Sequence, residues 1–327
     1  MGNENLFMRP TICSLVPGGT EILCELGLAE NIIGISDLCS HIDGMADVPI
    51  VSTRKVVTEG YSSAEVEAKM QQIKMNNEHP YAIDESWFNK HLPEIIITQD
   101  NCKICEIDVE YVNNVISRID YLPQVVTVNP TSISDVYGTI SDIGYVTGKE
   151  YESQTLITSL KKRVESIIGK VQAYELKKII SIEGVNPLVL GGNWIPEMYR
   201  IAGGNYGLLA NNAPAERIDV RDLLLFDPDF IIVDLCSSDF DRQINEINWL
   251  FQQKGFEKIT ASKNKDIYIL NHEYFSSPGL KIFDGIEIIY RILHPEDPSV
   301  TFPQDPGFHM IRQWSGNSDY SMYQQLV

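Results

Sequence analysis

Short β-branched runs alternate with longer amphipathic stretches along nearly the whole chain, and no other feature constrains the fold as strongly. Alternation of this kind predicts parallel strands covered by helices, an α/β class, because a strand buried on both faces needs helical cover between successive strands. The first run, Thr11 to Val16, ends at Pro17-Gly18-Gly19-Thr20, and Thr20-Glu21 opens a helix to about Leu26, closed by Gly27. Asn31 to Ser36, Glu94 to Thr98 and Gln124 to Val128 follow as strands. After Lys178 the order restarts with Lys178 to Ile182, Pro187 to Leu190, Phe230 to Asp234 and Asp266 to Leu270.

Between the two series lies 132–174, which has no strand-like run and one break, at Gly148-Lys149. Leu156, Ile157, Leu160, Val164, Ile167, Ile168 and Val171 recur there at helical spacing, predicting one helix of about 25 residues, roughly 38 Å long. With 327 residues to divide, the reading is an amino-terminal α/β lobe over 1–147, a connecting helix over 148–176, a second α/β lobe over 177–296 and an irregular tail over 297–327, packed through Phe302, Phe308 and Trp314. Leu92-Pro93-Glu94-Ile95-Ile96-Ile97-Thr98 resembles Asp227-Pro228-Asp229-Phe230-Ile231-Ile232-Val233, each with a Pro-acid step before a strand, which points to related lobes.

Charge narrows the partners. The 45 Asp and Glu against 26 Lys and Arg give −19, which repels phosphate backbones and anionic lipid, so neither nucleic acid nor a membrane surface is expected as a partner. The opening MGNENLFMRP shows no basic n-region followed by an apolar h-region, and no membrane-spanning segment is apparent. Together with six cysteines in a long chain, this predicts reduced thiols and a cytoplasmic protein.

In open α/β sheets ligands bind beyond the carboxyl ends of strands. That rule collects Cys39 after the second strand, Cys102 and Cys105 after the third, Asn193 and Trp194 after Leu190, Cys236 after Asp234, and His272, Tyr274 and Phe275 after Leu270. Cys13 and Cys24 fall inside a strand and a helix, where cysteine is a small hydrophobe. The Cys102-Lys103-Ile104-Cys105 step leaves three readings open: structural thiols or ligand contacts, half of a metal site, or a redox dithiol. Trp194, behind Gly191-Gly192, reads as an aromatic platform, with a core residue the alternative. His272 reads as hydrogen-bonded scaffold, Trp87 and Trp249 as packing, and Asp84-Glu85 and Glu296-Asp297 as solvated surface. Pro17-Gly18-Gly19-Thr20 lacks both the lysine of a phosphate loop and the spacing of a dinucleotide fingerprint. Nothing assembles a nucleophile, base and oxyanion stabiliser, so no catalytic residue is assigned.

Val16-Pro17-Gly18-Gly19-Thr20-Glu21-Ile22-Leu23, Thr98-Gln99-Asp100-Asn101-Cys102-Lys103-Ile104-Cys105, Gly192-Asn193-Trp194-Ile195-Pro196-Glu197, Ala202-Gly203-Gly204 and Tyr274-Phe275-Ser276-Ser277-Pro278-Gly279 resemble the cobalamin-binding proteins related to periplasmic components of ABC importers for corrinoids and iron-siderophores, in a soluble, cysteine-containing branch. The resemblance runs over about 10–296. It implies two Rossmann-like lobes joined by one long helix, the helical-backbone periplasmic-binding-protein fold. A flat corrinoid or similar metal-chelate or tetrapyrrole ligand is then expected in the interlobe cleft. Pro17, Gly18, Gly19, Thr20, Gln99, Asp100, Asn193, Trp194, Tyr274 and Phe275 would meet it, and Cys39, Cys102, Cys105 and Cys236 would form a thiol cluster touching ligand or a metal ion. Asp37 and Asn193 replace histidines found in relatives, which weakens a metal site. Ser86 and Arg200 stand where exported relatives present glutamates to a permease, so permease docking is not expected. A thiol-dependent redox or corrinoid-processing enzyme and an importer component are the alternatives.

Overall fold

Two parallel-rich sheets account for the strand-like runs. The computed structural model describes residues 10–56, 61–100, 108–119, 121–235, 240–275, 277–300, 312–316 and 319–322. The chain forms two units. The first holds Met1–Val56, Ile73–Asn129 and Tyr137–Ile157, and the second holds Val57–Gln72, Pro130–Val136 and Thr158–Val327.

In the first unit, strands β1 (Ile12–Ser14), β2 (Ile32–Ser36), β3 (Ile50–Arg54), β4 (Tyr81–Ile83), β5 (Ile95–Gln99) and β6 (Gln124–Val128) pair in the order β4-β3-β2-β1-β5-β6. All neighbours are parallel except β3 and β4. The central strands β1 and β5 are buried along their whole length, as expected of strands covered on both faces. Because β2 lies on one side of β1 and β5 on the other, the exits of β1 and β5 form the topological switch point where doubly wound sheets place ligands. Helix α1 (Pro17–Glu25) begins three residues earlier than the sequence reading, with Pro17 in its first turn. Proline's fixed φ suits that position, and its missing N–H costs nothing there.

The β3–β4 connection carries helix α2 (Ser63–Met75), and α3 (Glu85–His91) and α4 (Val109–Ile116) precede β5 and β6. The expected break at Gly148-Lys149 separates α5 (Ile133–Thr147) from α6 (Glu150–Val171). At 22 residues, α6 is about 33 Å long and runs continuously from the first unit into the second. Ile157, Leu160 and Ile167 of the predicted stripe are buried, whereas Ile168 is 44% exposed. In the second unit Arg163 of this helix pairs with Asp284 at 2.5 Å and Glu287 at 2.8 Å.

The second unit contains β7 (Lys177–Gly184), β8 (Val189–Leu190), β9 (Gly204–Asn205), β10 (Glu216–Arg217), β11 (Phe230–Val233), β12 (Ile267–Ile269), β13 (Arg312–Gly316) and β14 (Asp319–Met322). Their order is β10-β8-β7-β11-β12-β13-β14, with β9 on β7. Strands β7, β11 and β12 form the parallel centre. The helices are α7 (Ile195–Ile201), α8 (Val220–Phe226), α9 (Phe240–Phe251), α10 (Thr260–Asn264) and α11 (Lys281–Leu293). The tail expected to be irregular instead supplies an antiparallel hairpin, β13 and β14, that extends this sheet from β12. Trp314 stacks on Phe251 at 4.7 Å, so the expected aromatic anchoring holds for that residue, while Phe302 and Phe308 lie outside the described residues.

Candidate functional site

At the switch point of the first unit, Pro17, Gly18, Gly19 and Thr20 are all buried in the first turn of α1. A Cβ on Gly19 would come within 2.6 Å of Ile97 Cγ2, so this glycine serves close approach of α1 to β5. Thr20 Oγ1 donates to Ser14 Oγ at 2.8 Å. Gly19 and Thr20 thus make close contacts within the core of the first unit. Gln99, ending β5, is 1% exposed, and Asp100 beside it is exposed. Gln99 also bridges to Asp108, whose carboxylate caps α4 through the Tyr111 N–H at 2.9 Å and lies 3.1 Å from His79 Nε2. His79 Nδ1 accepts the Tyr81 N–H at 3.2 Å, and its ring stacks on Tyr111 at 4.0 Å.

Cys39 is fully buried with its Sγ 3.8 Å from the Ser14 carbonyl oxygen. Burial, with the neighbouring Cys39, pushes the Cys13 thiol well above its ordinary value, so Cys13 is a protonated core group. Cys102, Cys105 and Cys236 lie outside the described residues. Among the described residues no group of three or more His, Cys, Asp or Glu is placed to hold a metal ion. The expected thiol cluster therefore has one described member, Cys39, and that member packs in the core. Asp37, where a histidine would have favoured a metal, accepts from Arg54 Nε at 3.0 Å.

In the second unit, the exits of β7 and β11 meet over a buried polar network. Ser181 Oγ donates to Asp234 Oδ1 at 2.5 Å, and both residues are 0% exposed. The Tyr206 hydroxyl lies 3.0 Å from the Gly191 carbonyl oxygen and 3.2 Å from that of Ser181, and it accepts the Ser181 N–H at 3.3 Å. Burial, with Asp234 adding repulsion, raises the Tyr199 phenol well above its usual range; burial and then Glu183 do the same to Tyr206. Both shifts keep the phenols protonated beside these carboxylates.

The Gly191–Trp194 loop rests on this network. Asn193, half-buried with φ +54, donates its N–H to the Ala213 carbonyl oxygen at 2.5 Å. A Cβ on Gly192 would lie 2.1 Å from the Ala215 nitrogen. Trp194, 5% exposed, donates its indole N–H to the Phe275 carbonyl oxygen at 2.7 Å. Phe275 and Tyr274 are 0% and 2% exposed, and the Phe275 ring lies 6.3 Å from that of Tyr199. The structure thus ties Trp194 to the Phe275 backbone, with Tyr274 and Phe275 buried beside each other in the chain. The indole N–H of Trp194 is satisfied inside the second unit, as a buried tryptophan's polar atom usually is.

Ser181, Asp234, Tyr199 and Tyr206 went unassigned in the sequence; Asp234 alone carried a signal, as an acid closing an apolar strand. Trp87 packs in the first core as expected. Asp84 does more than face solvent, since it caps α3 by accepting the Trp87 N–H at 3.0 Å. Asp297 is likewise held, accepting from Tyr290 at 2.7 Å. Arg200, at an expected docking position, donates to the Tyr206 carbonyl oxygen at 2.6 Å and to that of Leu209.

No protein-family model matches the chain, and no curated protein matches it significantly. Solved structures do. A periplasmic heme-binding protein from Pseudomonas aeruginosa is similar at a TM-score of 0.67 and 15% identity, over 94% of this chain and 99% of that one. The periplasmic vitamin B12-binding protein of Vibrio cholerae gives 0.61 and 13%, over 88% and 98%. An ABC transporter substrate-binding protein from Listeria monocytogenes gives 0.67 and 15%, over 87% and 98%. The chain therefore has the periplasmic-binding-protein fold with its connecting helix, as the resemblance implied.

The same comparisons overturn the cytoplasmic expectation, since the heme and vitamin B12 binders that share the fold are periplasmic proteins. They also leave the expectation against permease docking without support, one match being an ABC transporter component. No described helix is long and apolar enough to cross a membrane.

Proposed function

We propose that the chain is a non-catalytic, extracytoplasmic binding protein for a flat tetrapyrrole-like or metal-chelate small molecule, with a corrinoid the first candidate. The observation that supports it is the shared fold: α/β units with a long helix passing from one into the other, as in proteins whose names state heme and vitamin B12 as ligands. In this reading Asp100 and Asn193, at strand exits and accessible to solvent, make the polar contacts. Gln99, buried at the end of β5, anchors the chain just before Asp100, and Trp194, Tyr274 and Phe275 stiffen the loops that carry the contacts.

The test is titration of the purified protein with cyanocobalamin and, separately, hemin, followed by visible absorbance and thermal unfolding. Saturable one-to-one binding of either, with a stability gain of about 2.7 kcal/mol at a hundredfold excess over Kd, supports the reading. No spectral change and no thermal shift with both at high micromolar concentration rejects it.

A role as an ABC-importer component is the second reading, favoured by the similarity to the Listeria protein. Cell fractionation checks it: recovery in the cytosolic fraction alone removes both this role and the extracytoplasmic setting. The thiol-enzyme alternative gains nothing from the described cysteines, of which Cys13 and Cys39 are buried.

A further inference from the structure

Helix α2 differs from its neighbours in how it is held. It is inserted between β3 and β4 of the first sheet, yet through residue 72 it belongs to the second unit. Its helical shape is locally secured. The Ser62 N–H and hydroxyl donate to Glu65 Oε2 at 2.8 and 2.7 Å, and the Glu65 N–H returns to Ser62 Oγ at 3.3 Å, a reciprocal cap that nucleates a helix without tertiary help. Lys69 Nζ lies 3.9 Å over the Tyr61 ring. None of its residues is buried; Val66 and Met70 reach only partial burial.

Among the described residues, two polar contacts tie this self-capped helix to β10 and α9 of the second unit. Arg217 Nη2 lies 2.7 Å from Glu67 Oε1, and the Ser63 N–H donates to Glu246 Oε1 at 2.5 Å. Their partners sit on the elements that frame the candidate loops. Arg217 is on β10, which pairs with Leu190 and Val189 of β8, immediately before Gly191. The segment leading into β10 is the one against which Gly192 and Asn193 pack. Glu246 is on α9, whose buried Gln243 accepts the Leu235 N–H, at the exit of β11, at 3.4 Å.

We propose that α2 is a detachable strap across the exits of β8 and β11, and that breaking the Glu67–Arg217 pair releases it and loosens the Gly191–Trp194 loop to admit and discharge ligand. The proposal rests on reading those exits as the ligand edge. A rigid helix tied by exposed charges rather than by buried apolar surface opens locally at little cost, and its attachment weakens with salt. Lids of this kind act on rates of entry and exit.

Hydrogen exchange of the ligand-free protein tests the strap itself. Arg217→Ala, or 0.5 M NaCl on the wild type, should raise exchange at 64–72 and at 191–195 by about two- to fivefold, the range open to an exposed pair, with β7 and β11 unchanged. Arg217→Lys should retain most of the protection. Unchanged exchange at 64–72, or a rise there with 191–195 unaffected, overturns the strap. Stopped-flow mixing with hemin and with cyanocobalamin tests the gate: Arg217→Ala should raise association and dissociation rates together by a similar factor, leaving Kd within about twofold. Unchanged rates for a probe that binds overturn gating. Failure of both probes to bind the wild type rejects the ligand reading alone, and the strap is then decided by exchange.

Discussion

Strands β5 and β11 enter their sheets in the same way and leave them differently. Each follows a helix that ends in the left-handed region, at Leu92 with φ +46 and at Asp227 with φ +49. Each then has a proline, which stops the helix, and an acid that captures an amide at the start of the neighbouring central strand. Glu94 Oε2 accepts the Thr11 N–H at 2.8 Å, and Asp229 Oδ2 accepts the Lys178 N–H at 2.8 Å. At the other end β5 passes to Gln99 and the exposed Asp100, whereas β11 passes to the fully buried Asp234. The entries are a repeated solution to starting a parallel strand. The exits are where the two units diverge, as expected of connecting loops built on a common scaffold.

The most severe way to break the comparison is at the second exit. Gly192→Ala forces a Cβ against the backbone at Ala215, so a loss of about 3 kcal/mol or more is expected, read as a fall in the urea midpoint or in the soluble yield. Ser181→Ala should follow, at about 2 kcal/mol, because the buried Asp234 carboxylate loses a donor; an unchanged midpoint would show that the carboxylate is satisfied without Ser181.

Asp266, beside β11's entry, sharpens the picture through pH. Burial first, with repulsion from Asp229, pushes its carboxyl up to about 6. The folded state therefore holds the proton more tightly than the unfolded chain, and this contribution is complete below about pH 3.8 and lost as pH rises through 6. Asp266→Asn should raise stability at pH 7 by about 1–2 kcal/mol, allowing for partial exposure, and flatten the pH profile between 4 and 6. The smallest effect tests the equivalence of the entries: Glu94→Gln and Asp229→Asn should each cost about 1 kcal/mol or less and match each other within error in thermal unfolding. A twofold disparity would show that the likeness is one of sequence only.

Much of this was legible beforehand. The Pro-acid likeness between Leu92–Thr98 and Asp227–Val233 appeared in the sequence because a helix stop, an acid at the strand entry and a β-branched strand all fall within seven residues, while the distant amides the acids capture did not show there. The α5–α6 boundary at Gly148-Lys149 was legible for the same reason. Strands β3 and β4 were not, since Ile50–Arg54 ends in polar residues and Tyr81–Ile83 is only three residues long; pairing rather than composition makes them strands. The hairpin β13–β14 was hidden because its short strands are defined by pairing on β12.

The site divides along the same line. Position at a strand exit followed from strand order for Asn193 and Trp194, and from the resemblance for Gln99 and Asp100. Exposure did not follow: Trp194 and Phe275 read as ligand faces, but the Trp194 indole N–H finds its partner 81 residues away at Phe275, a match that no local pattern encodes.

The α/β class, the long helix and the start points of the central strands were readable from the chain alone, because hydrophobic period, helix stops and strand propensity are local quantities. Only the tertiary structure decided which residues at the strand exits face solvent, that Gly19 and Gly192 serve close packing, that Asp234 is buried among Ser181, Tyr199 and Tyr206, and that α2 is bound to Arg217 and Glu246. Each of these depends on groups far apart in the chain, and burial and polar pairing become defined only once the chain has brought them together.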